Sequence, residues 1–315
     1  MAGAPQQTEG IEVDSFRAYR IDEQDGNLVA GFQELTLDDL TAGNVVIRVS
    51  HSTINYKDAL AVTGAGRILR HYPLNGGIDL AGTVISSEDV AFQPGTEVLV
   101  NGCGLSETVD GGYSEVARLD SASLVPLPDG MSAAQAMQIG TAGYTAALAI
   151  HRMEQNGQRP ENGPVVVTGA TGGVGSIAID MLSARGYEVV AVTGKADEEA
   201  YLREIGARRI LVREQIDLGK RPMEKALASI GLAASHTLNT TVLPFILRAV
   251  CLLGINSVDT PRETRLAVWS RIAGDLMPQH LDRIGHRVIS FDALPGAFQA
   301  YIDGTVTGRT VVEIS

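Results

Sequence analysis

Hydrophobic and polar positions fall into short runs along the first half of the chain. "NVVIRVSHSTI" (Asn44–Ile54), "GIDLAGTVIS" (Gly77–Ser86) and "TEVLVNG" (Thr96–Gly102) are rich in Val, Ile and Thr. Gly, Pro, Asn and Asp lie between them, the pattern of strands joined by tight turns. The same texture continues to Pro128. Met131–Met153 is then Ala-rich with helical spacing, and Ser132 stands where an N-cap belongs. After it, strand and helix patterns alternate. Strand Pro164–Thr168 leads to helix Gly173–Arg185, strand Tyr187–Val192 to helix Glu198–Ile205, and strand Arg209–Val212 follows. Such alternation predicts a parallel, doubly wound sheet. The tail Gly308–Ser315 is again strand-like and is a candidate to return to the first half.

Chemistry enters at the junction of the first alternating strand and helix. Gly173, Gly175 and Ala178 match the dinucleotide-binding pattern G-x-G-x-x-G/A. In that pattern the first glycine permits the tight turn, the second lets backbone approach a pyrophosphate, and the third small residue lets helix pack on strand. The helix N-terminus supplies N–H donors and a positive dipole end for the phosphates. A plain glycine-rich turn is the alternative. The letters from Thr168 to Gly175 also fit the short-chain dehydrogenase variant. That chemistry needs a Tyr with Lys four residues on, and none of the 8 tyrosines has one.

The ribose position indicates the cofactor. NAD sites place an acid at the end of the second strand, about 20 residues on. Here Thr193, Gly194 and Lys195 stand there. A carboxylate would repel a 2′-phosphate, whereas a hydroxyl, a backbone N–H and an ammonium attract it, so NADPH is expected. Arg209 or Arg208, at the start of the third strand, could complete the pocket.

Bulk properties narrow the class. A chain of 315 residues suggests about two domains. A net charge of −12 argues against nucleic acid or an anionic membrane as partner, since both need a basic footprint. The 2 cysteines are too few for a disulfide framework and fit a reducing compartment. No apolar run reaches bilayer-spanning length. The first residues lack a signal pattern, so a cytoplasmic location is expected.

Longer stretches carry a resemblance. "INYKDALAVTG" (Ile54–Gly64), "GIDLAGTV" (Gly77–Val84), "PGTEVLVNGCGLSETVDGGYSE" (Pro94–Glu115) and "IGTAGYTAAL" (Ile139–Leu148) resemble the medium-chain dehydrogenase/reductase superfamily in its zinc-free branch. "TTVLPFILRAVCLLGINSV" (Thr240–Val258) and "GRTVVEI" resemble more closely its acrylyl-CoA reductase, quinone oxidoreductase-like group. The resemblance implies an α/β fold of two domains. A GroES-like, β-rich catalytic domain spans 11–138 and is completed by 285–315. A Rossmann domain, a doubly wound parallel sheet that binds NADPH, spans 139–284. It also implies a homodimer, with the active site in the cleft between the domains.

Zinc-dependent relatives use Cys and His ligands where this chain reads "NYKDAL" and "GIDLAG". Cys103 and Cys251 are isolated and the 6 histidines form no close-spaced set, so no metal site is expected. Without a Lewis acid, conjugate reduction is a better expectation than alcohol oxidation. Hydride passes to the β-carbon of an activated alkene and a proton to the α-carbon, while donors stabilise the enolate oxygen. The expected reaction is NADPH-dependent reduction of an enoyl-CoA, acrylyl-CoA to propionyl-CoA. A quinone or 2-alkenal/enone reductase is the nearest alternative, and a non-catalytic NADPH-binding regulator is the alternative of another class.

The resemblance supplies site residues. Tyr56 is the first candidate at nicotinamide and substrate, with Asn55 and Lys57 behind it. Thr171, Gly172, Gly173 and Val174 would hold the pyrophosphate; Leu232, Ile246 and Ser257 would line the nicotinamide side. Arg67, Arg70 and His71 in "GRILRHYP" are either a loop for coenzyme A phosphates or solvated charges.

One stretch departs from the family. Between Met223 and Gly231 the resemblance places a central strand, a helix and most of another strand, which would need roughly 25–35 residues. Too few are present. A sheet lacking that strand would leave N–H and C=O groups unpaired in its middle. A missing segment is therefore expected near Leu227–Ala228, as a break in the backbone within a few residues of that join.

Overall fold

The structure is a computed structural model and describes residues 13–213, 226–228, 242–248 and 251–314. The first half contains β1 (Phe16–Gln24), β2 (Asn27–Leu35), β3 (Val45–Ile54), α1 (Tyr56–Thr63), β4 (Leu74–Asn75), β5 (Asp79–Ser87), β6 (Glu97–Asn101), β7 (Val116–Leu119) and β8 (Val125–Pro126). The long helix α2 (Ala133–Gln155) leads into β9 (Val165–Thr168), α3 (Gly173–Ala184), β10 (Val189–Thr193), α4 (Glu199–Glu204), β11 (Arg209–Val212) and β12 (Ala226–Ala228). The remainder is α5 (Leu243–Arg248), α6 (Arg262–Ile272), α7 (Leu281–Ile284), β13 (Arg287–Ser290), α8 (Phe298–Ile302) and β14 (Thr310–Glu313).

Three sheets result. β2-β1-β4 form a small antiparallel sheet, and β13-β14-β3-β5-β6-β8 form a larger one, with β7 also on β3. The expected return of the tail is visible here, because β14 pairs antiparallel with β3 from Thr310↔Ile54 to Glu313↔His51. The third sheet, β11-β10-β9-β12, is parallel throughout. Its inner strands "VVVT" and "VVAVT" are apolar on both faces, as strands covered from both sides must be. α2 and α3 pack against that sheet in one apolar core with Trp269, Ile272 and Ile284. A second core fills the larger sheet, which is antiparallel except for the parallel β13–β14 pair. No helix among the described residues is long and apolar enough to cross a membrane.

Residues 226–228 form a single strand in unbroken parallel register with β9, from Ala226↔Val165 to Ala228↔Val167. No break falls at Leu227–Ala228 itself; the residues on either side, where the expected break also had room to fall, lie outside the described residues. The strand occupies the place beside β9 that would otherwise leave backbone groups unpaired. Among the described residues the parallel sheet stops at four strands.

One correction concerns α2. Ser132 caps it as expected, in a reciprocal box with Gln135. The helix is not continuous, however: Gly140 sits at φ 51°, ψ −162°, and two helical segments meet there. A side chain at this point would meet buried charge. A Cβ on Gly140 would lie 2.5 Å from Arg309 Nη2 and 3.0 Å from Asp79 Oδ2. Gly140→Ala is accordingly expected to destabilise the fold by about 3 kcal/mol or more, combining positive-φ strain with displacement of a buried ion pair. Chemical denaturation measures this; a loss below about 1 kcal/mol would show that the kink tolerates a side chain.

Candidate active site

Asp79 and Arg309 are 0% and 3% exposed, and their side chains organise the region where the sheets meet. Arg309 follows the left-handed Gly308 and directly precedes β14. Its Nη1 donates to Asn55 Oδ1 at 2.9 Å, its Nη2 to Thr53 Oγ1 at 2.8 Å, and its Nε to the Gln138 carbonyl at 3.2 Å. Asp79 Oδ2 lies 3.9 Å from Nη2. The carboxylate accepts further hydrogen bonds from Asn55 Nδ2 (2.8 Å), Asn101 Nδ2 (2.8 Å) and Thr141 N (3.0 Å to either oxygen). Because α2 breaks at Gly140, Thr141 N–H is the first donor of a fresh helical segment. A carboxylate there is favoured by the helix dipole.

The same guanidinium reaches the glycine turn. A Cβ on Gly173 would sit 2.8 Å from Arg309 Cδ, and Gly308 N donates to the Thr171 carbonyl at 3.0 Å. The glycines therefore divide the work differently from the expected pattern. Gly169, not Gly173, takes the positive φ of the turn, at 61°. Gly173 makes room for Arg309. Gly175 makes room for the Gly169 carbonyl, which a Cβ would approach to 2.3 Å. The first-turn N–H groups of α3 have no carbonyl behind them, the arrangement that suits an anion at a helix N-terminus.

On the other side of Arg309, Asn55 caps α1 and Tyr56 is its first residue. Tyr56 is 42% exposed, so its phenol is open to a ligand. Asn55 is buried. One side-chain N–H goes to Asp79 and the other to Asp58 Oδ2 at 3.1 Å, while Oδ1 accepts from Arg309. It holds the start of α1 in place, and both of its side-chain N–H groups are engaged with carboxylates. Lys57 is paired with Glu107.

At the far end of the parallel sheet, Thr193 Oγ1 accepts from Lys195 N at 2.9 Å. Lys195 Nζ donates to the carbonyls of Thr305 (3.1 Å) and Val306 (3.0 Å) and to Thr307 Oγ1 (3.2 Å). Arg209 is misplaced in the sequence reading. It pairs with Val190 at the start of its strand, whereas Val212 pairs with Thr193. Three residues of strand put it roughly 10 Å from the ribose end. Arg213 is the guanidinium that stands there; a Cβ on Gly194 would lie 3.8 Å from its Cζ. Strand polarity was the signal that could have found it, since ligands sit outside the carboxyl ends of parallel strands.

The nicotinamide-side expectations fare unevenly. Leu232 lies outside the described residues. Ile246 is 72% exposed on α5 and forms no enclosed wall. Ser257 is fixed by the buried Arg265, whose Nη2 donates to its carbonyl at 3.1 Å while Nη1 donates to Asn101 O at 2.8 Å. A separate hollow lined by His151, Arg152, Gln155, Asn156, Leu253 and Thr264 shares no residue with this site. Among the described residues, no three His, Cys, Asp or Glu side chains converge as a metal centre would require. Asp79, in the "GIDLAG" stretch, is occupied by the hydrogen bonds above.

Residues 41–129 match the family model described as the alcohol dehydrogenase GroES-like domain. The chain is 41% identical to acrylyl-CoA reductase AcuI of Ruegeria pomeroyi, over 93% of this chain and 97% of that protein. That alignment runs 321 positions, more than the 315 residues of this chain, so it crosses positions where this chain has no residue. The crystal structure of Escherichia coli K-12 YhdH with bound NADPH superposes with a TM-score of 0.89 at 42% identity, covering 95% of this chain and all (100%) of that one. Bacillus subtilis YhfP with bound NAD superposes with a TM-score of 0.92 at 41% identity, covering 96% and 100%. The name of the latter protein assigns it provisionally to the quinone oxidoreductases.

One titration follows from the geometry. Burial pushes the Asp58 carboxyl up to about 7, with repulsion from Asp79 adding to it and hydrogen bonds from Asn55 and Ile78 opposing. The unfolded chain ionises this group near 3.8. The folded state therefore binds the extra proton, and stability present below 3.8 is lost as pH rises through 7. Asp58→Asn stays neutral, so its stability relative to the parent protein should rise by about 2–4 kcal/mol between about pH 4 and pH 8. Any fixed cost of the amide facing Ile78 N–H is the same at each pH. A pH-independent difference in denaturation free energy would overturn the assignment.

Proposed function

Because the chain belongs to the medium-chain dehydrogenase/reductase superfamily, in its acrylyl-CoA reductase and quinone oxidoreductase-like group, we propose that it reduces the activated C=C bond of an enoyl-CoA, converting acrylyl-CoA to propionyl-CoA with NADPH. The observation that carries this reading is the Arg309 bridge. It holds the start of α1, where Tyr56 is exposed, against the glycine turn that would hold the cofactor. The proposed domain division, 11–138 with 285–315 and 139–284, is supported by β14 pairing with β3. A homodimer and a cytoplasmic location belong to the same reading.

The residues fit the cofactor. First-turn N–H groups of Gly173 and Val174, with Thr171 and Gly172, would hold the pyrophosphate. Thr193, Gly194, Lys195 and Arg213 would hold the 2′-phosphate. Lys195 has three N–H groups, all engaged with residues 305–307, so it would exchange at least one of them for a phosphate oxygen. When bound, NADPH supplies a hydride to the β-carbon of the alkene. Tyr56 would donate a hydrogen bond to the thioester oxygen, where charge develops. Its position at the N-terminus of α1 favours that charge. A proton at the α-carbon completes the saturated thioester. The role of Asn55, Asp79 and Arg309 is to fix the distance between Tyr56 and the turn.

The test is a turnover assay with NADPH and a chelator, comparing acrylyl-CoA, acrolein and a naphthoquinone. Acrylyl-CoA should show the highest kcat/KM, and Tyr56→Phe should lower kcat by roughly 10-fold or more without weakening NADPH. Turnover of the quinone alone, NADPH binding with no turnover, or activity lost to chelator and restored by zinc would each refute the reading.

Cofactor choice is tested separately by fluorescence titration. Lys195→Ala and Arg213→Ala should each weaken NADPH by about 1.5–3 kcal/mol and NADH far less. Arg209→Ala should leave both unchanged. Equal weakening of the two cofactors by the first pair of variants would sink the assignment.

A further inference from the structure

The loop between α1 and β4 carries charge that no part of this mechanism uses. Arg67, Arg70 and His71 are exposed on it, in a chain whose net charge is −12. Neither Arg67 nor Arg70 has a side-chain partner among the described residues. The acids nearby are committed: Asp58 is buried against Asn55 and Ile78, and Glu107 pairs with Lys57.

This loop is held rigidly for its position. Leu69, between the two arginines, is 1% exposed and packs in a small core with Ile21, Ala61 and Leu74. Gly66 N donates to the Leu60 carbonyl at 3.2 Å, and Arg70 N donates to the Glu107 carbonyl at 2.8 Å. The His71 ring meets the Thr108 carbonyl through Nε2 at 3.0 Å. The backbone under both guanidinium groups is therefore fixed before any ligand arrives, which lowers the ordering cost of binding. The loop also adjoins Tyr56. Glu107 holds the Arg70 backbone through its carbonyl and Lys57, the residue after Tyr56, through its carboxylate.

We infer that Arg67 and Arg70, on the loop that adjoins Tyr56, form the binding site for the phosphates of the substrate's coenzyme A. This rests on the enoyl-CoA reading and adds the place where the carrier is recognised. Coenzyme A carries a diphosphate and a 3′-phosphate, several negative charges that an acidic protein would repel. A local basic strip reverses that repulsion at the mouth of the site. Guanidinium groups suit phosphate oxygens because they donate two parallel hydrogen bonds. A small enone or a quinone has no such tail, so the strip separates the substrate classes without touching the reacting carbons.

The experiment compares the full-length protein with Arg67→Ala/Arg70→Ala and Arg67→Glu/Arg70→Glu. It reads KM for acrylyl-CoA, KM for methyl vinyl ketone, the Kd for NADPH, and inhibition of enone reduction by free coenzyme A. The alanine pair should raise KM for acrylyl-CoA by about 10–100-fold, the two contacts acting together, and the glutamate pair further. The enone KM and the NADPH Kd should not move, which distinguishes coenzyme A phosphates from those of the cofactor. Coenzyme A should inhibit the parent protein and lose that effect in the variants. Unchanged KM for acrylyl-CoA, or an equal loss for every ligand, overturns the inference. If the parent protein does not reduce acrylyl-CoA, the functional reading fails by itself. The phosphate site then stands or falls on whether coenzyme A inhibition depends on the two arginines.

Discussion

The buried guanidinium of Arg309 is the point on which the rest of this structure depends. An ion taken out of water costs several kcal/mol unless a counter-charge and hydrogen bonds replace the solvent. Asp79 supplies the charge, and Asn55, Thr53 and Gln138 supply the acceptors. Those partners come from β3, the α1 cap, β5 and α2, so satisfying one side chain fixes four elements. Asp58 lies in the same pocket with no cation paired to it among the described residues, and burial raises its pKa.

Several local features follow from making room for that ion. The left-handed Gly140 breaks α2 so that Thr141 N–H can face Asp79. Gly173 is small because Arg309 passes beneath it. The tail must return to β3, because Arg309 directly precedes β14 and its acceptors on Thr53, Ile54 and Asn55 lie at the end of β3 and just past it. The cofactor turn and the exposed Tyr56 are thereby held as one unit, and a ligand between them meets a preset separation rather than two independent walls.

The parallel sheet shows a different economy. The chain aligns with a relative over more positions than it has residues, and its fourth strand is the three-residue β12. Pairing that strand to β9 protects the edge of the glycine-turn strand, where an unpaired backbone would be most damaging. The shortage of chain expected near Leu227 agrees with that alignment, and the backbone is unbroken from Ala226 to Ala228. Sequence counting cannot tell an absent strand from a neighbouring segment moved into its place, because the hydrogen bonds that decide this are made to another strand.

Much was legible from residues close together in the chain. The glycine turn, the Ser132 cap, the alternation of strand and helix, the strand-like tail and the lack of an acid at Thr193–Lys195 each depend on a few neighbouring positions. The tertiary structure alone decided what distant residues do together. Arg309 and Asn55 are 254 positions apart, and nothing local marks either as a partner of the other. Arg213, not Arg209, stands beside Gly194 because the direction of a paired strand, not proximity in sequence, sets which residue reaches that end of the sheet. Local sequence fixes backbone conformation through short-range sterics and periodicity. The partner of a buried charge is fixed only when the folded chain removes water from around it.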